Sequence, residues 1–263
     1  MKQDVIFWIG VKSTDPLLLK KHGNFEYLEI SKKCWKWWCK KNNITFFEYS
    51  NSSEIDTGKH KVTWTRWFDV FDQIEKAGIE YNKIALVDGS TLVKWDCPNF
   101  FNLVGDNLVA FRSLENLKWI KEGIDGYKDL FNNFNFDIKK YVSCGFQIFS
   151  KSHKKFLRDL KDFYYSNTQK ILELQQSIGR GTDQPVYNNL LQIKNIRVDN
   201  IDPSFMLTHL TRFDWLSHNW QLKEDNTPFF IKYGNIWFYS GFDRTQRFPL
   251  MKQTWDLIKE NYE

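Results

Sequence analysis

A chain of 263 residues that is 42% hydrophobic and 17% aromatic, with 12 Trp and 23 Phe, can bury a substantial core, which excludes intrinsic disorder and suits one large domain. The net charge of +5 favours an anionic ligand but, with the lysines dispersed and no basic arm, excludes a dedicated nucleic-acid binder. No apolar run approaches the roughly 20 residues of a membrane-spanning helix, and Cys34, Cys39, Cys97 and Cys144 form no CxxC pair and follow no secretory leader, which points to a reducing, cytoplasmic setting.

Val5 to Val11 is a continuous apolar run closed by Lys12 and Ser13, and reads as a first, central strand. Tyr27, Ile30, Cys34, Trp37 and Trp38 then recur at helical spacing as far as Asn42 and Asn43, and Ile44 to Tyr49 supplies a second strand. Beyond a polar loop from Ser50 to Lys61, Trp67, Val70, Phe71 and Ile74 make an amphipathic stripe that ends near Gly78. It leads into Ile84 to Val87, four apolar residues that stop at Asp88, Gly89 and Ser90. Strands alternating with helices imply parallel pairing through right-handed crossovers. In such open sheets ligands bind beyond the carboxyl ends of the strands, so Asp88, Gly89 and Ser90 are expected to face a crevice shared with Lys12 and Ser13. The plainer reading is an Asp-Gly turn that merely ends a strand.

Asp96 and Pro98 read as the start of a short helix from Asn99 to Leu103, and Leu108 to Phe111 as a further strand. The Leu114 to Leu130 region is helical but interrupted by Gly123 and Gly126. Tyr141 to Phe149 is strand-like with Gly145 inside it, and a strand glycine often marks close approach by a ligand or another backbone. Ser152 is expected to cap a helix running to about Leu174. Thr182 or Asp183 can cap a helix with Pro185 in its first turn, and capping alone is the simplest role for Asp183. Phe229 to Ile231 and Asn235 to Tyr239 read as strands, followed by a turn from Ser240 to Arg244 and a closing helix from Pro249.

Four segments, in order, resemble the GT-A-fold glycosyltransferases: Ile84 to Val93, similar to the strand ending in a metal-binding Asp-x-Asp; Val142 to Phe149, similar to the Asn-x-Gly strand that walls the sugar pocket; Thr182 to Asn188, similar to the Asp-Gln helix start that closes the site; and Ile236 to Arg244, similar to the late His-x-x-Gly strand with its following basic residue. Ser90 replaces the second Asp, and Tyr239 stands where the late His is expected. The resemblance implies an α/β fold with a mixed, mostly parallel central sheet flanked by helices, in a single domain whose residues 1–105 bind a nucleotide sugar and whose residues 106–263 bind an acceptor.

By the same resemblance the activity is transfer of a hexose from a nucleotide-diphosphate sugar, a UDP-sugar first among them, to the hydroxyl of a carbohydrate or other acceptor. The Asp-Gln segment leans towards the retaining members. Asp88 with the Ser90 hydroxyl would hold Mn2+ or Mg2+; Lys12, Ser13, Arg66 and Gly89 would meet the nucleotide; Cys144 and Gly145 would wall the sugar; Gly241, Arg244 and Arg247 would meet the diphosphate. Asp183, with Gln184, is the candidate beside the transferred sugar or acceptor, as general base or as an orienting acceptor. Trp215, Trp220 and Trp237 are candidates for a sugar platform or for core, and His209 reads as structural. The alternative function is a catalytically inactive nucleotide-sugar- or carbohydrate-binding protein of the same fold, for which Ser90 and Tyr239 speak.

Overall fold

Uninterrupted apolar runs need cover on both faces, and the two strongest, Val5 to Trp8 and Ile84 to Val87, lie side by side in the middle of the molecule, almost wholly buried. The computed structural model describes residues 2–12, 25–50, 62–113, 116–208, 223–240, 242 and 244–263. In chain order it contains β1 (Gln3–Ile9), α1 (Glu26–Asn42), β2 (Thr45–Tyr49), α2 (Val62–Lys76), β3 (Tyr81–Asp88), β4 (Thr91–Val93), β5 (Leu108–Arg112) and α3 (Leu117–Gly126). There follow β6 (Val142–Ser150), α4 (Lys154–Ser166), α5 (Thr168–Ile178), α6 (Gln184–Ile193), β7 (Val198–Asn200), the short pair β8 (Lys223–Glu224) and β9 (Thr227–Pro228), α7 (Phe229–Tyr233), β10 (Ile236–Phe238) and α8 (Arg244–Ile258).

The main sheet has six strands in the order β2-β1-β3-β6-β5-β7. All of its ladders are parallel except the two made by β6, which runs against β3 and β5. Successive side chains on a strand point to opposite faces, and the core divides accordingly. Ile6, Trp8, Ala85 and Val87 pack with Trp35 and Trp38 of α1 and Met251 of α8 on one face. Val5, Phe7, Ile84 and Leu86 pack with Trp67 and Phe71 of α2, Leu160 of α4 and Tyr187 of α6 on the other. α1 is set up for its place: Glu26 and Glu29 stand in its first turn, Lys40 and Lys41 in its last, and Asn43 closes it in the left-handed region at φ 55°. None of the described helices is long and apolar enough to cross a membrane.

Several boundaries differ from expectation. Phe229 to Ile231 opens the helix α7 between Pro228 and Gly234 instead of forming a strand; a three-residue apolar run carries no period that separates the two. The helix expected from Ser152 to Leu174 is two helices, parted at Asn167. Ser152 does not cap it: the position before Lys154 is His153, which makes no side-chain capping bond, and Ser150, whose backbone N–H donates to His153 Nδ1 at 3.1 Å, caps the short helical turn Lys151–His153 that leads into it. Asp96 pairs with Lys94 at 3.2 Å, and Asn99 caps the short helical turn Phe100–Leu103. α8 begins at Arg244, with Pro249 inside it.

Candidate active site

β1, β2 and β3 end level with one another. Ile9 stands in register with Asp88, Gly89 N–H donates to Ile9 O at 2.8 Å, and Gly10 N–H donates to Tyr49 O at 3.0 Å. The carboxylate of Asp88 thus sits at the carboxyl end of a central strand, 34% exposed, beside the exit of β1. Its Oδ1 accepts from Ser90 N–H at 2.8 Å and from Ser90 Oγ at 2.7 Å, an Asx turn that points the side chain along the strand axis. Gly89 has no room for a side chain: a Cβ there would meet Leu28 Cδ2 at 2.5 Å and Ile9 O at 2.6 Å. A cleft of about 220 Å³ opens next to this turn between Trp8, Gly10, Lys12 and Leu28, with Lys12 Nζ 2.9 Å from Glu29. Ser13 lies outside the described residues.

On the same face of the sheet as Ile84 and Leu86, α2 and α6 bring their N-terminal ends together. The Arg66 guanidinium donates to Asp183 Oδ2 through Nη2 at 2.6 Å and Nε at 3.2 Å, and the Trp67 indole N–H reaches the same oxygen at 2.6 Å. Arg66 Nη1 stands 3.9 Å from Asp88 Oδ2, so one buried guanidinium joins the two carboxylates. Burial alone would depress the Arg66 pKa, but the negative charges of Asp183 and Asp88 outweigh it and hold the group charged. Asp183 occupies the capping position of α6, yet its side chain makes no capping hydrogen bond. The helix-cap reading is therefore corrected, because the carboxylate turns away from the free N–H groups towards Arg66 and Trp67.

β6 packs beside this buried cluster through an irregularity. Ala110 pairs with Gln147 and Arg112 with Val142, so β6 places four residues, Ser143 to Phe146, opposite the single Phe111 of β5, a bulge in the ladder. Gln147, wholly buried, donates through Nε2 to the freed Ser143 carbonyl at 2.9 Å and accepts from the Tyr187 hydroxyl at 2.5 Å. Gly145 lies in the bulge, where a Cβ would meet Met206 Cε and Phe238 Cζ at 2.5 Å, so a pair of side chains, and not another backbone, approaches it closely. Cys144 points to the opposite face and is sealed; burial, and then the Asp183 charge, pushes its thiol well above the ordinary range, which leaves it packing and not a contact to solvent. Gln184 Oε1 accepts from Tyr141 OH at 2.9 Å.

The late segment docks on the Asp88 turn. Tyr239 N–H donates to Ser90 O at 2.9 Å, and its buried hydroxyl donates to Thr254 Oγ1 at 2.5 Å. Arg247 donates through Nε to Tyr239 O at 3.2 Å and lies over the Tyr27 ring at 5.5 Å, which places it near the same turn. Trp237 is core: it is fully buried and its indole N–H donates to Phe230 O at 2.6 Å. Gly241, His209, Trp215, Trp220 and the Arg244 side chain lie outside the described residues. Sequence reading missed Trp67, Gln147 and Tyr187 as parts of this buried cluster, since Trp67 and Tyr187 sit on core-facing stripes. Gln147 carried a signal, a lone amide between Phe146 and Ile148 in an apolar strand.

Neither a protein-family model nor a curated protein matches the sequence. Among solved structures, a glycosyltransferase involved in the glycosylation of the major capsid of PBCV-1 aligns with 94% of this chain and 98% of its own, at 11% identity and a TM-score of 0.56. The chain has the GT-A fold. Lower-scoring GT-A matches include the galactosyltransferase LgtC, solved with donor and acceptor sugar analogues (13% identity, 96% of this chain and 99% of that one, TM-score 0.43). Mouse xyloside xylosyltransferase 1 is another, at 11% identity, 90% of this chain, 98% of that one and a TM-score of 0.44.

A GT-A fold implies a divalent cation, which needs several hard oxygen ligands. Among the described residues no group of three or more His, Cys, Asp or Glu side chains converges on one point. Asp88 has one oxygen taken up by Ser90 and the other beside the Arg66 guanidinium, and Tyr239 is turned into the core. The described residues therefore do not fit a cation held by the protein itself.

Proposed function

We propose that the chain is a glycosyltransferase that moves a hexose from a nucleotide-diphosphate sugar, UDP-linked in the first instance, to the hydroxyl of a carbohydrate or similar acceptor. The observation that carries this reading is the Asp88–Arg66–Asp183 constellation at the carboxyl edge of β3, where open α/β sheets bind ligands. Transfer requires charge neutralisation on the departing diphosphate and an acceptor hydroxyl held in line. Arg66 Nη1, at 3.9 Å from Asp88 and so beyond hydrogen-bonding length, keeps donors for a phosphate oxygen, and Arg247 and Lys12 add positive charge on the side of α1.

Asp183 takes an orienting role in this reading: with three donors on one oxygen, its part is to fix Arg66. Gln184, whose Oε1 is engaged by Tyr141, offers its amide N–H groups to the sugar. The donor belongs to residues 1–105 and the acceptor to residues 106–263. A Mn2+ or Mg2+ ion would have to take its ligands from the diphosphate and water. Buried, unpaired Cys34, Cys39, Cys97 and Cys144 support a cytoplasmic setting.

One observation favours the second reading, a binding protein without turnover: the Ser90 hydroxyl donates back to Asp88 instead of facing the crevice. Incubation with a panel of nucleotide sugars separates the two, each run with Mn2+ and with EDTA, following both melting temperature and release of nucleoside diphosphate. Transfer predicts a stabilising donor that also releases nucleotide. Stabilisation without release selects the binding protein, and no response to any donor defeats both.

A further inference from the structure

Away from the Asp88 crevice, a cavity of about 580 Å³ opens at the far edge of the sheet, where β5 and the edge strand β7 meet the last turn of α6. None of Asp88, Arg66, Asp183 or Gln184 lines it. Its volume falls among small-molecule sites, about 300–1,000 Å³. Three cations face it, Arg112, Lys140 and Arg197, against two carboxylates, Asp137 and Asp199.

The cations are not equivalent. Lys140 stands 3.7 Å from Asp137 and Arg197 3.9 Å from Asp199, loose pairs on the surface. Arg112 donates through Nη2 to Val198 O at 3.2 Å, which steadies the side chain, and among the described residues no carboxylate pairs with it. A guanidinium presents five N–H donors in a planar fork, so most of those of Arg112 remain for a ligand. The wall behind it is fixed, because the Gln192 amide is bonded both ways to the Asp137 backbone at 2.9 Å. Asn135 and Asn195 add amides that match vicinal hydroxyls, and half-buried Phe134 offers an apolar ring face.

We propose that this cavity binds a sugar carrying a carboxylate, with the carboxylate on Arg112, hydroxyls on Asn135 and Asn195, and the C–H face of the ring against Phe134. The single excess positive charge of the lining matches a carboxylate, whereas a doubly charged phosphate would meet Asp137 and Asp199. The site is independent of the transferase reading, since an inactive protein would bind the same sugar.

The test is calorimetric titration of the full chain with a uronic-acid oligosaccharide and with its neutral counterpart of equal length, at low and high salt. The acidic sugar is expected to bind at least about tenfold more tightly, a difference of about 1.4 kcal/mol, and to lose that advantage at high salt. Arg112→Gln should remove the preference at an unchanged melting temperature, and Arg112→Lys, which keeps the charge but not the fork, should restore only part of it. Equal affinity for the two sugars, absence of binding by the acidic one, or a preference that survives Arg112→Gln would each overturn the proposal. The comparison of sugars on the wild-type chain stands even where a variant misfolds.

Discussion

An aspartate just before a helix ordinarily spends its side chain on the free N–H groups of the first turn, but Asp183 has a stronger competitor within reach. A buried guanidinium needs a counter-charge far more than a helix end needs a cap, because an unpaired ion in a low dielectric costs several kcal/mol and a missing cap about 1. The geometry follows that ranking, with Asp183 Oδ2 on Arg66 and Trp67. Asp183→Asn distinguishes the two roles by stability alone. As a cap, Asn performs about as well as Asp and nothing changes; if Asp183 is the counter-ion of Arg66, the substitution leaves the buried guanidinium only its longer 3.9 Å contact to Asp88, and urea denaturation should register a loss of about 3 kcal/mol, the lower end for a broken buried pair. Trp67 keeps an acceptor in either variant, so the loss isolates the charge.

At the level of single elements, β6 carries the most information per residue. Its bulge frees the Ser143 carbonyl, Gln147 satisfies it, and Gly145 lets Met206 and Phe238 lean against the strand. Gly145→Ala should therefore cost about 1–3 kcal/mol by overpacking, read as a lower midpoint in thermal melting with the fold retained; a change near zero would mean the bulge can move aside. This element also shows what was legible beforehand. The apolar runs of β1 and β3, the helical stripes of α1 and α2 and the position of Asp88 follow from local periodicity, which is a property of the chain alone. Gly145 was visible as an anomaly, but the neighbour it makes room for was not, since Met206 and Phe238 are distant in sequence. The same reason hid the Arg66–Asp183 pair, 117 residues apart along the chain. Phe229 to Ile231 was misread for the opposite cause: too few residues for any period to show, with Pro228 and Gly234 deciding the outcome.

For the molecule as a whole, the exit of β6 ties stability to pH. His153 is buried, and its Nδ1 accepts the Ser150 N–H, which only an unprotonated nitrogen can do. Burial lowers its pKa. A histidine whose pKa is depressed in the folded state contributes stability that is complete above the unfolded value, near 6.5, and is lost as pH falls through the folded one. Wild type should lose stability on acidification below about pH 6.5 more steeply than His153→Gln, by about 1–3 kcal/mol for the broken buried bond. Parallel melting curves for the two proteins from neutral to mildly acid pH measure the difference, and superimposable pH dependence would count against it. The direction of β6 has a consequence in time as well as in space. β2, β1 and β3 form one block of the sheet, β5 and β7 another, and among the described residues the backbone ladders between the blocks all run through Val142–Ser150. During synthesis the apolar flank of β3 therefore emerges long before its partner strand exists, and stays an open edge of the kind that recruits other chains. Pairing of residues about 60 positions apart comes late in folding, so the nascent chain depends on β6 to close both blocks at once.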